Sequence, residues 1–134
     1  MMIQCAREAV SWRMSRAEPL RVMEAARDYG LQVIELTTRL PRGAPSGLRS
    51  QLADAARSVG GLLAEGFGRG SSAERIHYSH MANGSLEESQ YYLRQLINLG
   101  LIERKVFYKL WNLSVTISRM LLSLIARLER DQGK

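Results

Sequence analysis

Apolar side chains recur at spacings of three and four through four long segments, and no window alternates convincingly, so the chain predicts helices and no strands. Pro19 opens the first segment, where a proline suits the first helical turn, and Met23, Ala26, Gly30, Val33, Thr37 and Leu40 continue it. It stops at Leu40-Pro41-Arg42-Gly43-Ala44-Pro45-Ser46-Gly47, a loop with two prolines. Leu48, Leu52, Ala55, Val59 and Leu62 mark the second segment, which runs into Ala64-Glu65-Gly66-Phe67-Gly68-Arg69-Gly70-Ser71-Ser72. The third places Tyr78, Met81, Ser85, Ser89, Tyr92 and Leu96 on one face, with small residues Ala82, Ser85 and Ser89 for close packing, and Gly100 closes it as a C-cap. The fourth runs from about Glu103 to Arg130. Four amphipathic helices with short connections predict an all-α, antiparallel four-helix bundle over residues 19–131, with residues 1–18 as an N-terminal arm.

On a wheel of about 100° per residue, the fourth helix carries more apolar surface than one core needs. Val106, Leu110, Leu113, Ile117, Met120, Leu121, Leu124 and Leu128 form a core stripe, and Phe107, Trp111, Val115, Leu122 and Ile125 form a second beside it. An exposed second stripe is an association surface, and the reading taken here is a homo-oligomer interface; coverage by the arm is the alternative. The remaining face holds Lys105, Lys109, Arg119, Arg127 and Arg130, with Asn112, Thr116 and Ser123 between them. Such a row can track phosphates, or it can be a solvated face with cations near a helix C-terminus. No aromatic is seen interleaved with it for stacking on bases.

Composition adjusts this picture only slightly. The net charge of +6 over 134 residues and a pI near 10 lean towards anionic partners, RNA or DNA among them. Residues 103–134 carry seven basic and three acidic side chains, so most of the surplus lies in the fourth helix. Cys5 is the only cysteine, which excludes an internal disulfide and fits a reducing, cytoplasmic setting. Arg7 and Glu8 interrupt the N-terminus, so no signal-peptide core is expected, and no run approaches the roughly 20 apolar residues of a membrane span.

Catalytic and cofactor chemistry find little support. Glu74-x-x-His77 matches half of a di-iron motif, with His80 on the same face, but the second motif and the further glutamates are missing. Cys5 has no nearby base to activate it. The glycines at 66, 68 and 70 fail the Walker template, since Ser71-Ser72 stands where Lys-Ser/Thr is required, and fail the dinucleotide template, since a helix precedes them. Ser71-x-x-Glu74 does fit a capping box starting the third helix, with Gly66 or Gly68 supplying the left-handed residue that ends the second. Glu65 sits in a last helical turn, where the dipole disfavours an acid, so a cationic partner such as Arg69 is expected. No catalytic residue, metal or cofactor is therefore assigned.

The same corner, Ser58-Val59-Gly60-Gly61-Leu62-Leu63-Ala64-Glu65-Gly66-Phe67-Gly68-Arg69-Gly70-Ser71, with Gly84-Ser85-Leu86-Glu87-Glu88 further on, resembles the 23S rRNA intervening-sequence proteins. In that family the corner reads A-E-G-x-G-R-G and the third helix carries G-S-L-x-E. Glu65, Gly66, Gly68, Arg69, Gly84, Ser85 and Glu88 match by position. Gly60 and Leu62 depart from the usual proline and asparagine, Met23 from a common tryptophan, and Ala53-Asp54 from two frequent arginines. That last departure leaves the fourth helix as the main basic candidate. The resemblance implies a four-helix bundle assembled as a ring, commonly a pentamer. It also implies kinship with the accessory variability determinant of diversity-generating retroelements, a basic pentamer that binds nucleic acid and a reverse transcriptase. It implies no enzymatic activity.

Two functions follow as expectations. In the first, a non-enzymatic homopentamer binds RNA or DNA through Lys105, Lys109, Arg119, Arg127 and Arg130. In the alternative, the oligomer is an adaptor for a protein partner, and its basicity is incidental. Glu65 and Arg69 are expected to brace the corner, linking it to Ser85 or Glu88.

Overall fold

A computed structural model describes residues 17–132. They form four helices and no strand: α1 (Ala17–Thr38), α2 (Ser46–Arg69), α3 (Ser72–Asn98) and α4 (Arg104–Gln132). Residues 1–16 of the expected arm, with Cys5, lie outside the described residues, and Ala17 and Glu18 belong to α1. α1 begins two residues before Pro19, which keeps the proline within the first turn, where its missing N–H costs nothing. Each helix packs on the next, and α4 closes against α1, the arrangement of a four-helix bundle. The pairs Arg49–Thr37, Tyr92–Gln51, Gln90–Ser114 and Arg127–Glu18 join positions that run in opposite senses, so neighbouring helices are antiparallel.

The turns explain why the chain reverses where it does. At the end of α1 the Arg49 guanidinium, projecting back from α2, donates to the carbonyls of Thr37 and Pro41 and satisfies orphan acceptors there. α2 runs through Gly66 and Gly68 and ends only at Gly70, which takes the left-handed conformation (φ 90°). That corrects the expectation that Gly66 or Gly68 would end it. Ser71 then caps α3, accepting from the Glu74 N–H at 3.1 Å, as the capping box requires. α3 ends in a Schellman motif: Leu101 N–H donates to the Leu96 carbonyl, Gly100 N–H donates to Ile97, and Gly100 has φ 73°.

Gly66 has a different task. A Cβ there would lie 2.5 Å from the Cβ of Tyr78, so the glycine is what lets α3 press against α2 beside the turn. Val22, Val33, Leu52, Val59, Leu63, Leu86, Leu93, Leu96, Ile117 and Leu121 fill the centre with no exposure. Burying each contributes roughly 1.5–3 kcal/mol. The core face of α3 runs through Ser79, Ala82, Leu86, Ser89, Leu93 and Leu96: Ser89 and Leu96 stand as expected, and the other four replace Tyr78, Met81, Ser85 and Tyr92, each one residue on. Met81 is exposed, and Tyr78 and Tyr92 reach sideways towards Glu65 and Gln51 on α2.

Two serines tie α3 to the diagonal helix α1 and to α4. Ser89 Oγ donates to its own helix at the Leu86 carbonyl, so the fully buried Tyr29 hydroxyl of α1, 2.7 Å away, must be the donor to it. Ser114 on α4 repeats the device, donating to the Trp111 carbonyl while accepting from Gln90 Nε2 at 2.9 Å. Burial pushes the pKa of the Tyr29 hydroxyl up to about 12.

Two outcomes test this packing. Gly66→Ala should lower the unfolding free energy by about 1–3 kcal/mol in urea titrations, because the added methyl overpacks the crossing. A stability equal to or above that of the parent would refute the close approach, since alanine is otherwise the better helix residue by up to about 1 kcal/mol. The folded Tyr29 value lies above the ordinary value of 10.0, so its share of stability is whole below that pH and is lost as pH rises towards 12. Tyr29→Phe should therefore show a shallower alkaline fall in thermal midpoint than the parent.

Candidate nucleic-acid interface

Two regions were singled out by sequence, the glycine-rich corner and the outer face of α4, and the structure treats them differently. At the corner, Arg69 Nη2 donates to Glu65 Oε2 at 2.9 Å and Nη1 to Glu74 Oε2 at 3.2 Å. Tyr78 Oη donates to the same Glu65 oxygen at 3.0 Å, with the Arg69 guanidinium 5.2 Å above its ring. Ser71 Oγ donates to Glu74 Oε1 at 3.1 Å. The Arg69 hydrogen bond, then that of Tyr78, holds the Glu65 carboxyl below its ordinary range, and the Tyr78 hydroxyl is raised chiefly by its bond to Glu65.

Both Arg69 Nη atoms thus serve the protein's own carboxylates, leaving a brace and no phosphate cradle. The expected Glu65–Arg69 pair is present. Its links run to Glu74 and Tyr78 across the turn, however, because Ser85 and Glu88 lie two to four turns further along α3. Glu88 instead meets the Tyr92 hydroxyl at 3.4 Å, and Leu86, within the same signature, is core. Gly68 and Gly84 would meet nothing within 4 Å if each carried a Cβ.

On α4, Lys105, Lys109, Arg119 and Arg130 are exposed and form no ion pair among the described residues. At about 1.5 Å per residue the row is about 38 Å long. Arg127 differs from them: its Nη1 lies 2.9 Å from Glu18 Oε1, a tie between the end of α4 and the start of α1 that Ser123 joins at 3.4 Å. The cation counted with the row is therefore already engaged. Sequence reasoning also missed Tyr108, 56% exposed and one turn from Lys105, Arg104 and Asn112 on the outer surface. It fell between the stripes and the basic row on the wheel, and its exposure alone would have flagged it.

The second apolar stripe is only partly a surface. Phe107 and Ile125 are buried, at 8% and 4%, because α3 reaches around that flank of α4. They belong to the core and not to an exposed interface. Trp111 and Val115 are half-buried and Leu122 is 53% exposed. Trp111 stacks on Phe107 at 5.5 Å and lies under the Arg94 guanidinium at 4.9 Å. His77 and His80 are exposed, and His80 Nε2 lies 3.9 Å from Glu129 Oε2. Among the described residues no three His, Cys, Asp or Glu side chains gather as a metal site would require, and no helix is long and apolar enough to cross a membrane.

Comparison with known proteins agrees with the fold. A family model described as 23S rRNA-intervening sequence protein matches residues 18–123. A crystal structure of a protein of unknown function from the S23 ribosomal protein family of Bacteroides thetaiotaomicron superposes with a TM-score of 0.77 at 22% identity, covering 81% of this chain and 98% of that one. No curated protein matches the chain.

The brace has an acid-side consequence. The depressed Glu65 value means that its contribution is present above the ordinary carboxyl range and is lost as pH falls through it. Glu65→Gln should flatten the acid limb of a stability–pH curve measured by thermal melts, and an unchanged limb would remove the brace from the stability of the corner.

Proposed function

The chain belongs to the 23S rRNA-intervening sequence protein family, and on that footing we propose a non-enzymatic, cytoplasmic, self-assembling protein that binds single-stranded nucleic acid along α4. The observation that carries the reading is the row Lys105, Lys109, Arg119 and Arg130, exposed, unpaired among the described residues and bordered by the exposed ring of Tyr108. Cations committed to internal carboxylates, as Arg69 and Arg127 are, release no counterions on binding; these four do. Tyr108 provides the stacking platform that a bare basic face lacks, which favours an unpaired strand over a duplex. The family description, with its reference to 23S rRNA, makes RNA the first ligand to test. Self-assembly draws on the exposed flank of α4 at Trp111, Val115 and Leu122, and a homopentameric ring is the form the family resemblance implies.

Fluorescence anisotropy with a labelled single-stranded RNA and a duplex of the same sequence tests this. Affinity for the single strand should fall steeply with salt, and Lys105→Gln or Arg119→Gln should each reduce the slope of log affinity against log salt by about 0.7. Arg127→Gln should leave that slope alone. Tyr108→Ala should weaken single-strand binding by about 1–3 kcal/mol and leave the duplex unaffected. Absence of binding to single-stranded RNA and DNA at low salt would end the proposal.

A further inference from the structure

Two interior helix glycines have no use within the chain. Gly61 in α2 and Gly84 in α3 are exposed, and a Cβ at either would meet nothing within 4 Å. A glycine inside a helix costs roughly 0.5–1 kcal/mol relative to alanine. Gly66 and Gly30 answer for that cost by close approaches, to Tyr78 on α3 and to the Ala56 carbonyl on α2. Gly61 and Gly84 do not, so a close approach from outside the chain is what would account for them.

Their surroundings fit each other. Gly61 lies in an apolar groove of about 360 Å³ between α1 and α2, floored also by Gly30 and Gly60, walled by Met23 and Ile34, and rimmed by Arg27 and Arg57. Gly84 lies on the opposite side of the bundle. The pairs His80–Glu129 and Gln90–Ser114 set the register of α3 on α4 and bring Gly84 level with Leu122, the exposed ridge of α4. Exposed Glu87 and Glu129 flank that ridge, opposite in sign to Arg27 and Arg57 on the groove rim, of which Arg57 also meets Asp54 at 2.8 Å in an exposed pair. One face is concave, apolar and cationic at its edges; the other is a ridge with carboxylates beside it.

We propose that the Leu122–Gly84 ridge of one copy seats in the Gly61 groove of a second copy, an inference that rests on the self-association proposed above. Because groove and ridge lie on opposite faces, the contact is head-to-tail, and repetition closes a ring or extends a filament. The basic row runs along the outward face of α4 beside the ridge, with Tyr108 between the two.

A complementation experiment tests the pairing. Gly61→Glu extends a carboxylate into the groove from a Cβ position with no atom within 4 Å; Leu122→Glu breaks the ridge at an exposed position, and Gly84→Glu is a second way to do so. By light scattering each variant alone should be reduced to monomer, with helical circular dichroism unchanged. Mixed in equal amounts, Gly61→Glu and Leu122→Glu should form a 1:1 heterodimer and nothing larger, since one intact ridge and one intact groove remain. Full-sized assemblies of either variant, or variants that stay monomeric when mixed, overturn the pairing while leaving self-association standing. A monomeric parent protein overturns self-association itself, and the RNA titration of the monomeric Gly61→Glu variant, altered on the α1–α2 face, reports on the α4 row independently.

Discussion

The arrangement of the bundle depends on how closely α2 and α3 can approach beside their turn. Gly66 removes the one side chain that would hold Tyr78 away, and Tyr78 then reaches Glu65. Glu65 holds Arg69, Arg69 holds Glu74, and Glu74 is the partner through which Ser71 caps α3. Each of these half-exposed contacts is weak in water. Joined across a link of only Gly70 and Ser71, they define the angle at which α3 leaves α2, and so where α1 and α4 find their grooves.

Within the core a second constraint fixes rotation. A bundle lined only with leucine and valine can slide or turn at little cost, whereas a buried hydroxyl must meet its partner or lose a hydrogen bond. Ser89 faces a donor on the diagonal helix α1 and Ser114 one on the adjacent α3, and each sends its own proton to the carbonyl three residues back. The donors come from α1 and α3, so three helices are indexed to one another at two levels. This indexing is what places the basic row outward along its full length.

How much of this could be read from the sequence varies with the distance over which each feature acts. The capping box at Ser71 and the C-cap at Gly100 are local and legible, as are the helices and the cationic row at Lys105, Lys109, Arg119 and Arg130. Three alternate glycines near the corner are interchangeable on paper; which becomes left-handed depends on where Tyr78 lands, twelve residues beyond Gly66. Phe107 and Ile125 looked like surface because a wheel shows the angle of a residue and not how far α3 wraps around it. Arg127 looked free because its acid, Glu18, lies 109 positions away. Tyr108 passed unnoticed since a lone tyrosine on a helix says nothing until its exposure is known.

Trp111 gives the molecule an internal optical reporter. The chain has two tryptophans, and this one sits at the border of core and surface, stacked on Phe107 and overlaid by the Arg94 cation. Indole emission responds to a nearby charge and to hydration, so any event that draws Arg94 away or covers that border should shift its colour and lifetime. The bundle needs no label for assembly or ligand docking at α4 to be followed in real time.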